Sequence, residues 1–274
     1  MNGIALEGGA KCSAFTAGVL DVFMEQGIGF DRGCGVSAGA GCLVNYRSGQ
    51  PGRSLGVMLP KKKGSLAGVA NFLKNKQFID LDSVASGDGF DHTAFAESTM
   101  KTEYVATCCE TGRAEYLSED EPQRLADAIK ASCSVPVLCS PVAIGGKHYL
   151  DGSVSDSVGA RHLVRTGCDK VVAVLTRPRG AGRTDYTRLS PILKKLYGER
   201  FPALYSCLME RSKSSAREMN ELEKLEREGR IFILRPTSSA PPKFTEDEKL
   251  ICDFYAHGRQ RALENINRIG DFIK

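Results

Sequence analysis

The chain has 274 residues, 42% of them hydrophobic and 26% charged, with 29 glycines and 11 prolines. Those values suit an ordinary globular protein and exclude collagen-like, coiled-coil and disordered chains. The 37 basic and 33 acidic residues leave a net charge of +4, too small an excess for a nucleic-acid binder. No apolar run approaches the roughly 18 residues that a membrane span needs. Residues 1–7 lack the basic start and apolar stretch of a signal peptide, so the expected location is cytoplasmic. The ten cysteines include the adjacent pair Cys108 and Cys109 but no Cys-x-x-Cys spacing. Free thiols in a reducing compartment fit this pattern, and the four scattered histidines offer no zinc-ligand spacing, so no metal is expected.

In chain order, residues 3–6 read as an apolar strand that ends at Gly8-Gly9. Phe15, Val19, Val22 and Phe23 share one helical face, which predicts a helix over 13–26 stopped by Gly27. Residues 33–36 form a second short strand, followed after Ser37 by a helix of small residues. Residues 101–117 read as two strands joined at Thr111-Gly112, 122–132 as a helix, 147–150 as strand-like and 170–175 as a buried strand. Strands and helices in alternation predict an α/β fold with a mainly parallel sheet covered by helices. After Pro178 the pattern changes to an Arg- and Gly-rich loop over 178–188 and helical stretches over about 190–228 and 245–270. Residues 231–234 are a strand candidate that could join the sheet, and Pro241-Pro242 is expected to open the last helix. The expected organisation is one unit over 1–178 and a mostly helical C-terminal extension over 179–274 packed on the same domain.

The sharpest chemical signal is Gly35-Val36-Ser37-Ala38-Gly39, a G-x-S-x-G between strand and helix. A nucleophilic serine needs a tight turn that displays its hydroxyl, and the following helix N-terminus offers N–H groups to a developing oxyanion. The plainer reading is a serine that caps a helix. A second signal, Glu7-Gly8-Gly9-Ala10-Lys11, could aim backbone N–H groups at an anion, with Lys11 adding positive charge, or could be a plain tight turn. It has neither the dinucleotide-binding nor the P-loop spacing, which argues against a nucleotide. A nucleophilic serine also needs a base. His148, His162 and His257 are available for a Ser–His–Asp triad, and Asp151-Gly152-Ser153 displays an aspartate at a strand end.

Taken together, these segments resemble the patatin-like phospholipase family. The likeness runs through Leu6 to Lys11, Ala17-Gly18-Val19-Leu20, Gly35 to Ala40, Ala131 to Pro136, Pro141-Val142 and Tyr149 to Ser153, about residues 3–176. The resemblance implies a three-layer α/β/α fold, no cofactor, and hydrolysis of acyl esters, usually of lipids, through an acyl-serine. It implies that Ser37 is the nucleophile and Asp151 its base, without a catalytic histidine. The N–H groups of Gly8, Gly9 and Ala10, helped by Ala38, correspond to the oxyanion hole, with Gly35 and Gly39 as the glycines of the nucleophile elbow. Three positions depart from the family pattern: Ala10 stands at the third glycine of the loop, Cys12 at its last, and Ser153 follows Asp151-Gly152 where the family usually has glycine or alanine. If the third position needs a positive φ, Ala10 strains the loop.

The expected partner is an acyl-ester or phospholipid substrate, with transient contact at a membrane surface, while oligomeric state is not legible. Lys61-Lys62-Lys63 fits a solvated loop or lipid headgroups, and Phe72, Leu73, Phe78, Ile79 and Leu81 fit core packing or an acyl pocket. Residues 210–228 read as a surface helix with a thin stripe of Met219, Leu222 and Leu225. Two alternatives stay open: a triad enzyme using His162 or His257, and a catalytically weak member that binds an acyl lipid or a partner.

Overall fold

The structure, a computed structural model, describes residues 1–60, 89–118, 122–182 and 184–274. Lys61-Lys62-Lys63 and the apolar Phe72, Leu73, Phe78, Ile79 and Leu81 lie outside the described residues. The first part of the chain contains β1 (Asn2–Leu6), α1 (Ala14–Glu25), β2 (Arg32–Val36), α2 (Ala38–Arg47), α3 (Arg53–Met58) and α4 (His92–Glu97). The middle follows with β3 (Lys101–Cys108), β4 (Ala114–Leu117), α5 (Pro122–Cys133), β5 (Val142–Ile144), β6 (Lys147–Asp151), α6 (Ala160–Arg165) and β7 (Lys170–Val174). The last third holds α7 (Ser190–Tyr197), α8 (Pro202–Arg227), β8 (Ile231–Leu234) and α9 (Glu248–Phe272).

Five strands run parallel in the order β3-β2-β1-β7-β8, and β4, β5 and β6 add antiparallel pairs at one end. The expected α/β class is therefore the observed one, and the 231–234 strand does join the sheet beside β7. Alternate residues of the central strands serve opposite faces. Ile4, Leu6, Val172 and Val174 pack with residues of α1, α2, α5 and α9, whereas Ala5, Val171 and Ala173 pack with Leu163 of α6 and Leu222 of α8. Burial on both faces is why these strands read as nearly continuous apolar runs, and it makes the architecture three-layered.

Two expectations about the C-terminal part need correction. The stretch over 190–228 is two helices: α7 ends at Tyr197, and Pro202, which has no N–H to donate, starts α8 at its first position. Pro241-Pro242 does not open the last helix; α9 begins later, where the Asp247 carboxylate accepts the Leu250 N–H at 3.2 Å.

The sheet also explains how residues far apart in the chain meet. Val105 of β3 pairs with Val36 on one edge and Tyr116 on the other, while Ala106 pairs with Asp151 and Glu115. Since β4 pairs with Tyr104 to Thr107 and so overlaps the pairings of both β2 and β6, those two strands share the opposite edge of β3, end to end. The last residue of β2 and the last residue of β6 thus sit opposite consecutive residues of β3, which places Ser37 beside Asp151.

Candidate active site

Ser37 adopts φ 52° and ψ −127° between β2 and α2, a conformation that side chains rarely take without compensation. The flanking glycines permit it through close approach. A Cβ on Gly39 would lie 2.6 Å from the Leu6 carbonyl oxygen, and one on Gly35 would lie 2.7 Å from the Ala40 Cα. Gly39→Ala is expected to cost about 1–3 kcal/mol of stability, read as a lower urea midpoint at unchanged slope. The Ser37 hydroxyl does not cap α2. Its Oγ instead donates to Asp151 Oδ2 at 2.7 Å, while its N–H donates to Ser132 Oγ at 2.9 Å.

Asp151 is held from every side. Its N–H donates to the Ser134 carbonyl and its own carbonyl accepts from Thr107 Oγ1, both at 2.8 Å. Its Oδ1 accepts the Ser153 N–H at 2.8 Å. Only 2% of the residue is exposed, and this burial raises the carboxyl above the ordinary aspartate range, against the hydrogen bonds from Ser37 and Ser153 and the charge of Lys243. Ser153, a small departure in the sequence, serves through its backbone.

The glycine loop follows β1 at the same carboxyl end of the sheet. Gly8, Gly9 and Ala10 line the same cleft as Ser37 and Asp151. The Gly8 N–H is already engaged, donating to the Ser157 carbonyl at 3.3 Å. The amides of Gly9, Ala10 and Ala38 make no hydrogen bond among the described residues. Ala10 has φ 49°, so the third position of the loop is indeed left-handed. Ala10→Gly is expected to stabilise the protein by up to about 1 kcal/mol, the strain relieved exceeding the added chain entropy, and a urea titration would read it. Lys11 does not line the cleft; its Nζ donates to the Met58 carbonyl. The C-terminal segment clasps this loop instead: the Lys11 N–H donates to the Lys243 carbonyl at 3.0 Å, and Cys12 Sγ to the Pro241 carbonyl at 3.3 Å.

None of the four histidines lines the cleft. His162 bonds Glu103 at 3.0 Å and stacks on Tyr116, His148 bonds Glu110 at 2.8 Å, and His257 Nε2 accepts the Thr237 N–H at 3.1 Å. The structure therefore does not bring the histidines of the alternative triad to Ser37. Among the described residues, no group of His, Cys, Asp and Glu could hold a metal ion.

The cleft holds about 510 Å³, a volume suited to a small-molecule site. One wall is apolar, with Val135, Pro136, Val137 and Leu138, and Leu189 and Phe244 also line it. Val137 has φ 73°, rare for a β-branched residue, and its N–H donates to Tyr197 Oη at 3.1 Å. Arg177, Arg211 and Lys243 line the cleft as well, three cations that the motif reading missed. Arg211 had a signal: Leu204, Leu208, Arg211, Ser215, Glu218 and Leu222 are all buried and recur at helical spacing. The surface-helix expectation for 210–228 is corrected accordingly, since α8 turns a charged pair inward along with its apolar stripe.

The inward Glu218 supports the loop beside Ser37. Its Oε1 and Oε2 accept the Ser157 N–H at 3.0 Å and the Ser157 hydroxyl at 2.8 Å. The Ser157 carbonyl in turn receives the Gly8 N–H. Burial and the nearby Asp156 push the Glu218 carboxyl up to about 7. The folded protein therefore keeps a proton that the unfolded chain loses, and stability falls as pH rises from 4.5 to about 7. Glu218→Gln is expected to flatten that decline and to melt above wild type at pH 8, measured by thermal unfolding across pH.

Residues 4–164 match the family described as Patatin-like phospholipase, and residues 201–274 match DUF6363, a domain of unknown function. The uncharacterized protein YjjU of Escherichia coli (strain K12) is 30% identical over 184 residues, 64% of this chain and 52% of that protein, so the alignment spans about half of its length. VipD from Legionella pneumophila superposes with a TM-score of 0.48 and 12% identity over 97% of this chain and 67% of that one. With more than half of the sequence matched, from β1 through α6, the chain belongs to the patatin-like phospholipase family.

Proposed function

We propose that the chain hydrolyses acyl esters, with lipids as the substrate class, through a Ser37–Asp151 dyad and an acyl-serine intermediate. The observation that carries this reading is the 2.7 Å hydrogen bond from Ser37 Oγ to Asp151 Oδ2 inside an apolar-walled cleft. As Ser37 Oγ attacks the ester carbon, Asp151 Oδ2 accepts its proton. The carbonyl oxygen becomes an oxyanion that the N–H groups of Gly9, Ala10 and Ala38 stabilise; the Gly8 amide, already bonded, supports the loop. Collapse expels the alcohol, which takes the proton from Asp151. Water then attacks the acyl-serine with Asp151 again as base, and Ser37 recovers its proton as the acid leaves. A buried carboxyl with a raised pKa is a better proton acceptor from a hydroxyl than an exposed one.

The acyl chain is assigned to the wall of Val135 to Leu138. Transient contact with a lipid surface is supported by exposed Leu189 and Phe244, which line the cleft, and by exposed Ile192 and Leu196 of α7 beside Lys194 and Lys195. A catalytic unit over 1–178 with an extension over 179–274 that lends Arg211 and Lys243 to the cleft is part of the same reading. A cytoplasmic location is consistent with ten free cysteines; among the described residues, no helix is long and apolar enough to cross a membrane.

A graded series of p-nitrophenyl acyl esters tests the proposal. Wild type is expected to hydrolyse them with a chain-length optimum, and His162→Ala to stay within about twofold of it. Loss of activity in a folded His162→Ala variant would point to the triad, and no hydrolysis by folded wild type would favour an acyl-binding protein.

A further inference from the structure

The cations lining the cleft are unexplained by ester hydrolysis alone. Arg211 is 5% exposed and lines the cleft, yet its side chain makes no hydrogen bond among the described residues. Its Nη1 is fully enclosed without an acceptor, and the nearest carboxylate oxygen, Glu218 Oε2, is 3.8 Å away and already takes the Ser157 hydroxyl. A buried guanidinium with no hydrogen-bond acceptor and one carboxylate at 3.8 Å costs free energy that an anion bound in the cleft would offset. Arg177 and Lys243 line the same cleft and are tethered, Arg177 Nη1 to the Gly182 carbonyl at 2.6 Å and Lys243 Nζ to Thr184 Oγ1 at 2.9 Å. Burial and the charge of Arg177 lower the Lys243 pKa, as expected for cations held close together.

The acidic groups of the cleft are fewer than its cations and are already engaged. Among the described lining residues they are Asp151, which is bonded to Ser37, and Glu7, whose Oε2 accepts from the Thr176 N–H and hydroxyl at 2.7 and 3.0 Å. Three cations from three separate segments thus converge beside the serine. Guanidinium forks and an ammonium suit the oxygens of a phosphate. A zwitterionic headgroup would instead bring another positive charge into a cleft whose described carboxylates are already engaged.

We infer that Arg177, Arg211 and Lys243 form an anion subsite that holds the phosphate monoester of an acyl-ester substrate while Ser37 faces its ester bond. The inference rests on the hydrolase reading for the identity of the ligand. It assigns to the C-terminal extension, through Arg211 and Lys243, the selection of anionic over zwitterionic or neutral headgroups.

Calorimetry on full-length Ser37→Ala protein tests it, with dodecyl phosphate, dodecylphosphocholine and inorganic phosphate as probes below their micelle concentrations. Dodecyl phosphate is expected to bind at least about tenfold tighter than dodecylphosphocholine, and Arg211→Met or Lys243→Gln added to that background to erase the preference. Lys243 is only half-buried, so its variant keeps the test decisive if Arg211→Met fails to fold. Kinetics on otherwise wild-type protein supply the second arm: the kcat/KM ratio for a 1-acylglycerol phosphate over a neutral monoacylglycerol should fall at least about tenfold in Lys243→Gln. Equal binding of the two dodecyl probes, or a preference that survives both variants, would overturn the subsite. Inorganic phosphate binding as tightly as dodecyl phosphate would overturn the headgroup assignment in favour of a free anion. Selective binding without hydrolysis of any ester would sink the hydrolase reading and leave the subsite standing, whereas hydrolysis without selective binding would do the reverse.

Discussion

Ser37→Ala is expected to lower kcat/KM for p-nitrophenyl esters by about 10,000-fold or more while the protein stays folded. The size follows from the role. Without Oγ there is no covalent intermediate, and what remains is binding and the oxyanion amides acting on water, which supply only a small share of the acceleration. The fold should survive because Ser37 is anchored by its backbone. Its N–H bonds Ser132 Oγ, and the tight packing at Gly35 and Gly39 involves no atom of its hydroxyl. Circular dichroism and the urea midpoint check that arm. A variant that kept more than a tenth of wild-type activity would remove Ser37 from the mechanism.

Asp151→Asn is expected to lower kcat by about 1,000- to 10,000-fold and at the same time to raise Tm at neutral pH. The two effects share one cause. Burial disfavours the carboxylate, so the ionised Asp151 that activity requires destabilises the fold above its raised pKa. The sign follows from proton uptake. Between the ordinary aspartate value and the raised one, the folded state holds a proton that the unfolded state has released, so stability from this group falls as pH rises through that window. Asparagine keeps an oxygen for the Ser153 N–H but cannot accept the Ser37 proton. The same raised pKa sets the acid limb of the kcat/KM profile above the ordinary aspartate range, with activity increasing as pH rises and Asp151 ionises. A folded Asp151→Asn variant with near wild-type turnover would exclude Asp151 as the base.

The central sheet was legible because strands buried on both faces leave short apolar runs, such as residues 170–174, between helical patterns. The serine turn was legible because its geometry demands small neighbours, and Gly35 and Gly39 advertise that demand. Less was visible where a side chain's role depends on long-range packing. Glu210 to Glu228 looked like a solvated helix because charge density hid that Arg211 and Glu218 fall on the face of Leu204, Leu208 and Leu222. Lys11 drew attention as the cation beside the glycine loop, but Lys243 lines the cleft instead, delivered by a segment more than 200 residues later. No local pattern encodes that approach. The engagement of the Gly8 amide was equally hidden, since it depends on Ser157, itself held by Glu218.

The most direct test of the mechanism is to treat the full-length protein with a serine-directed alkyl fluorophosphonate and locate the adduct by peptide mass spectrometry. One adduct is expected, on Ser37, absent in Ser37→Ala and much slower to form in Asp151→Asn. A folded wild-type protein that stays unmodified, or that carries its adduct on another residue, would contradict it.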